Sequence, residues 1–220
     1  MFKKLILPVV LFAAANVFAQ SPDRSFYKGA LVIDANVGLD VYSVKQHYEI
    51  KGTSYSKDTV NAAGSHGPNI GIQYGVLDWL GIGLKYKYDT YFTSADKTTH
   101  ITPSVFGQEV GLVIDAHPVR VEHFDLITGV NIGHSSMVFH THDQFGTEIY
   151  GSGSWFDLHV IPRFYIGPLG LSLNFSVPFI NYPSLTTSSD HLNQVFFSKW
   201  KASGFGLGCG ISVRLLKPRG

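Results

Sequence analysis

Three groups of residues in this chain have the types and spacing that chemistry needs. His134-Ser135-Ser136 is followed by Glu148, twelve residues beyond the second serine (148 − 136). On an extended segment His134 and Ser136 project from one face. A later carboxylate that oriented the imidazole would complete the arrangement of an activated serine. His140-Thr141-His142-Asp143 forms the second group. Two histidines at i and i+2 point the same way on an extended segment and suit Zn or Cu. The third group mixes charges of both signs: Asp34, Lys85, Glu109, Asp157, Arg163 and Arg214, with Asp40, Lys87, Asp89 and Asp115 on the same inward rows. Gathered inside a fold, they would either line a polar conduit or pair with one another and fill it, since a buried charge must be paired.

Each group also has a plainer reading. The histidine pair sits in a polar link with no third fixed ligand, so no metal and no cofactor is assigned. The set His134, Ser136 and Glu148 is a short match in a chain with ten histidines. It lacks an oxyanion donor, because Met137, next after the serine, has no side-chain amide. No catalytic residue is assigned, and the set is kept as a candidate only. A formal net charge of +1 gives no support to a nucleic-acid partner. The run Gly206-Leu207-Gly208-Cys209-Gly210 reads as a strand, without the strand-turn-helix context of a nucleotide loop.

Strands must position all three groups. In GFGLGCGISVRL (204–215) glycine holds Gly204, Gly206, Gly208 and Gly210, while Phe205, Leu207, Cys209 and Ile211 stand between them. Period two means opposite faces, one apolar and one nearly bare. A bare face leaves room for other side chains, as inside a narrow barrel, and the apolar face must then look outward into lipid. Large groups such as Arg163 and His159 are expected to use that room. Seven further segments alternate in the same way, near 30–41, 69–76, 80–89, 106–117, 126–133, 156–166 and 171–179. Long polar links at 44–66, 92–103, 136–153 and 181–200 alternate with short ones near Asp78, Pro118 to His123, and Gly167-Pro168. An even strand count with long connections on one side describes an eight-stranded antiparallel up-and-down transmembrane β-barrel. Trp79, Phe124 and Tyr165, with Tyr91, Trp155, Phe179 and Trp200, are expected to form the aromatic girdles.

A soluble barrel would reverse the faces and need Asp34, Lys85, Glu109, Asp157, Arg163 and Arg214 in water. That arrangement would spend the glycines on a solvated face. Charged residues make up 15% of the chain against ~25% in ordinary soluble domains, which favours lipid. The sole cysteine, Cys209, rules out an intramolecular disulfide. Lys3 and Lys4, an apolar run from Leu5 to Ala15 and a small-residue site before Gln20 read as a signal peptide. The expected organisation is a signal peptide over 1–19, a short periplasmic segment over 20–28, the barrel over 29–216 and a tail over 217–220.

With YGVLDWLGIGLKY (74–86), GLVIDAHP (111–118) and the final GLGCGISVRL, the chain resembles the small outer-membrane β-barrel proteins of Gram-negative bacteria, the OmpA/OmpX-like group. That resemblance implies residence in the outer membrane, contact with its lipid and lipopolysaccharide, and a monomer. An external ligand or protein would be met through four mobile loops. It departs from the group in ending on Leu216-Lys217-Pro218-Arg219-Gly220 rather than on an aromatic residue. His134, Ser136 and Glu148 are similar in spacing to the site of outer-membrane lipid A deacylases, but they lie before the sixth strand rather than near the chain end. The expected role is structural or interaction-based. A lipid-modifying enzyme stands second and a narrow channel third.

Overall fold

The computed structural model describes residues 24–94, 102–142 and 146–215; the expected signal peptide lies outside them. Eight long strands form a closed ring: β1 (Leu31–Ile50), β2 (Ser56–Gly75), β3 (Leu80–Tyr91), β4 (Ser104–Val121), β5 (Phe124–His140), β6 (Glu148–Ile166), β7 (Leu169–Tyr182) and β9 (Phe196–Arg214). Each pairs antiparallel with its neighbours, and β1–β9 pairing closes the circle. A short strand, β8 (Leu185–Thr187), adds to the end of β6, and a one-and-a-half-turn helix, α1 (Asp190–Val195), follows it. No helix among the described residues is long and apolar enough to cross a membrane. Closure gives each of the eight strands a neighbour on both sides through the apolar belt, which is what hydrocarbon requires of strands.

The expected faces are present. In β7, Leu169, Leu171, Leu173, Phe175, Val177 and Phe179 are exposed, and Gly170, Ser172, Asn174 and Ser176 are buried. The β9 glycines face inward, but their occupants differ from the expected Arg163 and His159. A Cβ on Gly206 would stand 2.1 Å from Asp40 Oδ1, and one on Gly210 would stand 1.9 Å from Asn36 Oδ1. Those two β1 side chains, directly across the ladder, fill the room.

Two expectations are corrected. The links at 44–66, 136–153 and 181–200 are largely not loops. β1 and β2 continue as a paired hairpin to Glu49↔Ser56, and β5 and β6 continue to His140↔Glu148. Past the buried layer of Val44, Tyr182 and Trp200 both faces are wet, so polar residues replace alternation while the ladder continues. Second, Tyr91, Trp155, Tyr165 and Trp200 point inward and are buried. Outward aromatics include Tyr74, Trp79, Phe164 and Phe124 at the tight-turn end and Phe92, Phe156 and Phe179 at the other. Residues 24–28, the described part of the expected N-terminal segment, fold back onto the barrel. Ser25 and Phe26 are fully buried in its mouth.

Candidate functional site: the lumen and the outer rim

The interior is filled tier by tier. At the tight-turn end, Phe26 stacks on His117 with ring centroids 3.5 Å apart. His117 Nδ1 lies 2.9 Å from Asp125. Ser25 Oγ donates to the Phe124 carbonyl, and the Gly29 amide donates to the Gly75 carbonyl. Arg214, expected among the lumen charges, holds this plug instead. Its guanidinium donates to the carbonyls of Arg24 (3.0 Å) and Ser25 (2.8 Å) and lies over the rings of Tyr27 and Tyr165. As the last residue of β9 it stands at the mouth, where the carbonyls of the folded-back segment are its nearest acceptors.

Above the plug, Arg163 donates to Asp34 at 2.7 Å and has Asp125 at 3.9 Å. His159 meets Asp115 at 2.7 Å, Gln73 donates to the same carboxylate at 2.7 Å, and Asn131 donates to Asp157 at 2.9 Å. Lys85 makes no direct ion pair among the described residues. With Asp34 and Arg163 it lines a mid-lumen cavity of about 30 Å³, room for one or two waters. In the next tier Lys87 donates to Asp40 (2.5 Å) and Asp89 (2.6 Å). Ser135 donates to Glu109 at 3.1 Å and lies 2.7 Å from the Tyr182 hydroxyl. Lys87, Asp40 and Asp89 face inward and are buried, as the alternation of their strands predicts. The top tier is apolar: Tyr42, Val44, Tyr91, Val105, Met137, Trp155 and Trp200 pack together, with Tyr182 stacked on Trp200 at 5.2 Å.

The candidate serine site does not assemble. His134 and Ser136 share the outward face of β5, but Glu148 pairs across the ladder with His140, its Oε1 2.8 Å from His140 Nδ1. His140 is six residues from His134, ~20 Å along a strand. Instead, Ser152 approaches His134 Nε2 at 3.4 Å. Glu148 accepts from the Tyr150 hydroxyl, which, with His140, holds its carboxyl below the ordinary range. His142 lies against Ser104 Oγ at 2.8 Å and its ring stacks on that of His140 with centroids 6.0 Å apart; Asp143 lies outside the described residues. Among the described residues no cluster has the geometry of a metal site.

At the rim, β1 and β2 carry a polar triad. His47 lies 2.7 Å from Glu49 and 2.6 Å from Asp58, one carboxylate on each ring nitrogen. Glu49 first, then Asp58, raises the His47 pKa above its usual value. Inside the rim an apolar cleft of about 360 Å³ opens beside Val44, Tyr91, Val105, Met137, Phe139 and Trp200.

A closed antiparallel ring with an apolar exterior, a polar paired interior and tight turns at one end defines a small outer-membrane β-barrel. The solved structures say the same. OprG of Pseudomonas aeruginosa superposes with a TM-score of 0.58 at 9% identity, over 87% of this chain and 98% of that one. The outer-membrane protein AlkL, solved in lipid bilayers, gives a TM-score of 0.50 at 16% identity, over 91% of this chain and 96% of that one. No protein-family model matches the chain, and no curated protein matches its sequence. The shared feature is the fold, and the apolar belt seats it in the outer membrane.

Proposed function

We propose that this protein is a non-conducting barrel of the outer membrane that acts through contacts made by its long-hairpin end, which faces outward. The observation that carries the reading is the sealed lumen. Ion pairs, an aromatic layer and the segment 24–28 occupy successive tiers, and the cavity beside Asp34, Lys85 and Arg163 holds about 30 Å³. An eight-stranded ring is just wide enough for side chains, and here they fill it. The rim supplies what the interior does not: a paired hairpin reaching well past the belt, exposed Tyr55 and Val60 upon it, and the apolar cleft at its base. A rigid barrel presenting such segments is a usual platform for binding an external partner.

Two measurements test this. In planar bilayers the purified protein is expected to give no ohmic conductance; steady single-channel current would overturn the reading. On cells, replacing residues 47–58 by a two-residue turn from Gln46 to Thr59 keeps the ladder and removes the hairpin tip. Binding of expressing cells to a panel of matrix proteins and sulfated glycans is expected to fall to the level of cells without the protein. Unchanged binding would place the contact elsewhere or nowhere.

A further inference from the structure

The outward rows of the eight strands carry few cations, and their placement is uneven. Among the described residues, the outward-row lysines and arginines are Lys45 on β1 and Lys199 and Lys201 on β9. These two strands are paired, and Lys45 stands directly opposite Lys201, with His47 opposite Lys199 one tier higher. Like charges directly opposite each other in a ladder repel. No carboxylate relieves Lys45 or Lys201 among the described residues, because Glu49 and Asp58 are both engaged by His47. Such a pair calls for an anion.

The tiers around the pair say where that anion sits. Level with Lys201 are Asn181 on β7 and, beyond it, Ser154 on β6. One tier lower are Ser203, Ser43, Phe179 and Phe156, and below those the apolar belt begins with Phe205 opposite Val41. Lys45, Lys201, Ser43, Ser154, Phe156 and Phe179 line a concavity of about 360 Å³ on the outer wall. Cations stand at its top, hydroxyl and amide groups at its middle and two aromatic rings at its base. A lipid has the same order from headgroup to chain.

The geometry points to this concavity as a binding site for the phosphoryl headgroup of a lipid A-type glycolipid in the leaflet at the long-hairpin end. Lys45 and Lys201 meet the two charges of a phosphomonoester. Ser154 and Asn181 meet sugar hydroxyls, and acyl chains descend over Phe156 and Phe179. A basic side chain at an anionic lipid surface strengthens binding by about fivefold. The proposal uses the same outward orientation as the contact reading, but it is read on lipid retention, which neither conductance nor cell binding reports.

The test uses the full-length protein purified from membranes and placed in phosphatidylcholine nanodiscs doped with diphosphoryl lipid A or its dephosphorylated form. Retained glycolipid is quantified by mass spectrometry after detergent washing. Diphosphoryl lipid A is expected to be retained by the wild type, about fivefold less by Lys45→Gln or Lys201→Gln, and unchanged by Lys57→Gln on the opposite parity of the hairpin. With the dephosphorylated form the lysine dependence is expected to vanish. Lys201→Gln should then raise the unfolding midpoint, since only repulsion is removed, whereas in diphosphoryl lipid A it should lower it. Equal retention by the double variant, lysine dependence with dephosphorylated lipid, or displacement of the glycolipid by millimolar inorganic phosphate would each overturn the site.

Discussion

Replacing Leu207 by arginine tests the face assignment most directly, because the cost depends on depth in the bilayer. The outward row of β7 runs from Leu169 to Phe179. Ten steps of about 3.4 Å, tilted about 40° from the barrel axis, give a belt ~26 Å tall, against ~25 Å in membrane barrels. Leu207 stands opposite Phe175, six steps from the start of that row and so ~3 Å from the belt's centre. Arginine on the lipid face is worth about 2–4 kcal/mol of destabilisation at the midplane and ~0–1 near the interface. Leu207→Arg is therefore expected to cost ~3 kcal/mol. Ser203, opposite Phe179 at the belt's edge, provides the shallow comparison, and Ser203→Arg is expected to cost ~0–1 kcal/mol. Reversible guanidinium unfolding in vesicles, followed by tryptophan fluorescence, reads both. With a slope of ~2–6 kcal/mol/M, the Leu207→Arg midpoint should fall by ~0.5–1.5 M. A cost below about 0.5 kcal/mol at Leu207, or an equal cost at Ser203, would refute both the strand parity and the placement of the belt.

Three other expectations concern the interior and the rim. Arg163→Met leaves the Asp34 and Asp125 carboxylates facing a buried apolar group, so it should cost ~3–5 kcal/mol in the same unfolding assay; combining it with Asp34→Asn should recover part of that loss. Gly210→Val drives a Cβ to 1.9 Å from Asn36 Oδ1 and 2.5 Å from the Ala35 carbonyl, so overpacking of ~1–3 kcal/mol or more should appear as loss of the compact unheated band on a gel. His47 has a raised pKa, so its stabilising contribution to the hairpin is complete below its ordinary value of 6.5 and is lost as pH rises through the raised one. An NMR titration of the ring should show a midpoint above 6.5 that Glu49→Gln lowers more than Asp58→Asn; a midpoint at or below 6.5 would contradict the paired geometry.

Alternation is a local property, and so the sequence by itself determined the barrel wall. Leu169, Leu171 and Leu173 against Gly170, Ser172 and Asn174 declare two faces whatever the rest of the chain does. Glycine at alternate positions of β9 likewise declared a crowded interior before any neighbour was known. Eight such segments with alternating link lengths leave the closed ring as the arrangement that hides every edge.

Tertiary structure decided what alternation does not encode. Past the layer of Val44, Tyr182 and Trp200 both faces meet water, so nothing in the pattern marks how far β1 or β6 continues. The parity of Trp155 and Trp200 follows only once those strands are known to run on, and with it their place in the lumen rather than in a girdle. Partners across the lumen depend on the stagger of the whole ring. Arg163 finds Asp34 129 positions away, and Glu148 falls opposite His140 rather than beside His134. Residues 24–28 have no periodicity to read, and they become a plug only because a closed mouth offers Arg214, His117 and the Phe124 carbonyl to meet them. The Lys45–Lys201 pair is likewise a product of closure. The two residues lie 156 positions apart (201 − 45) and become neighbours only when the last strand joins the first, since pairing across the seam is set by the register of the ring and not by either strand alone.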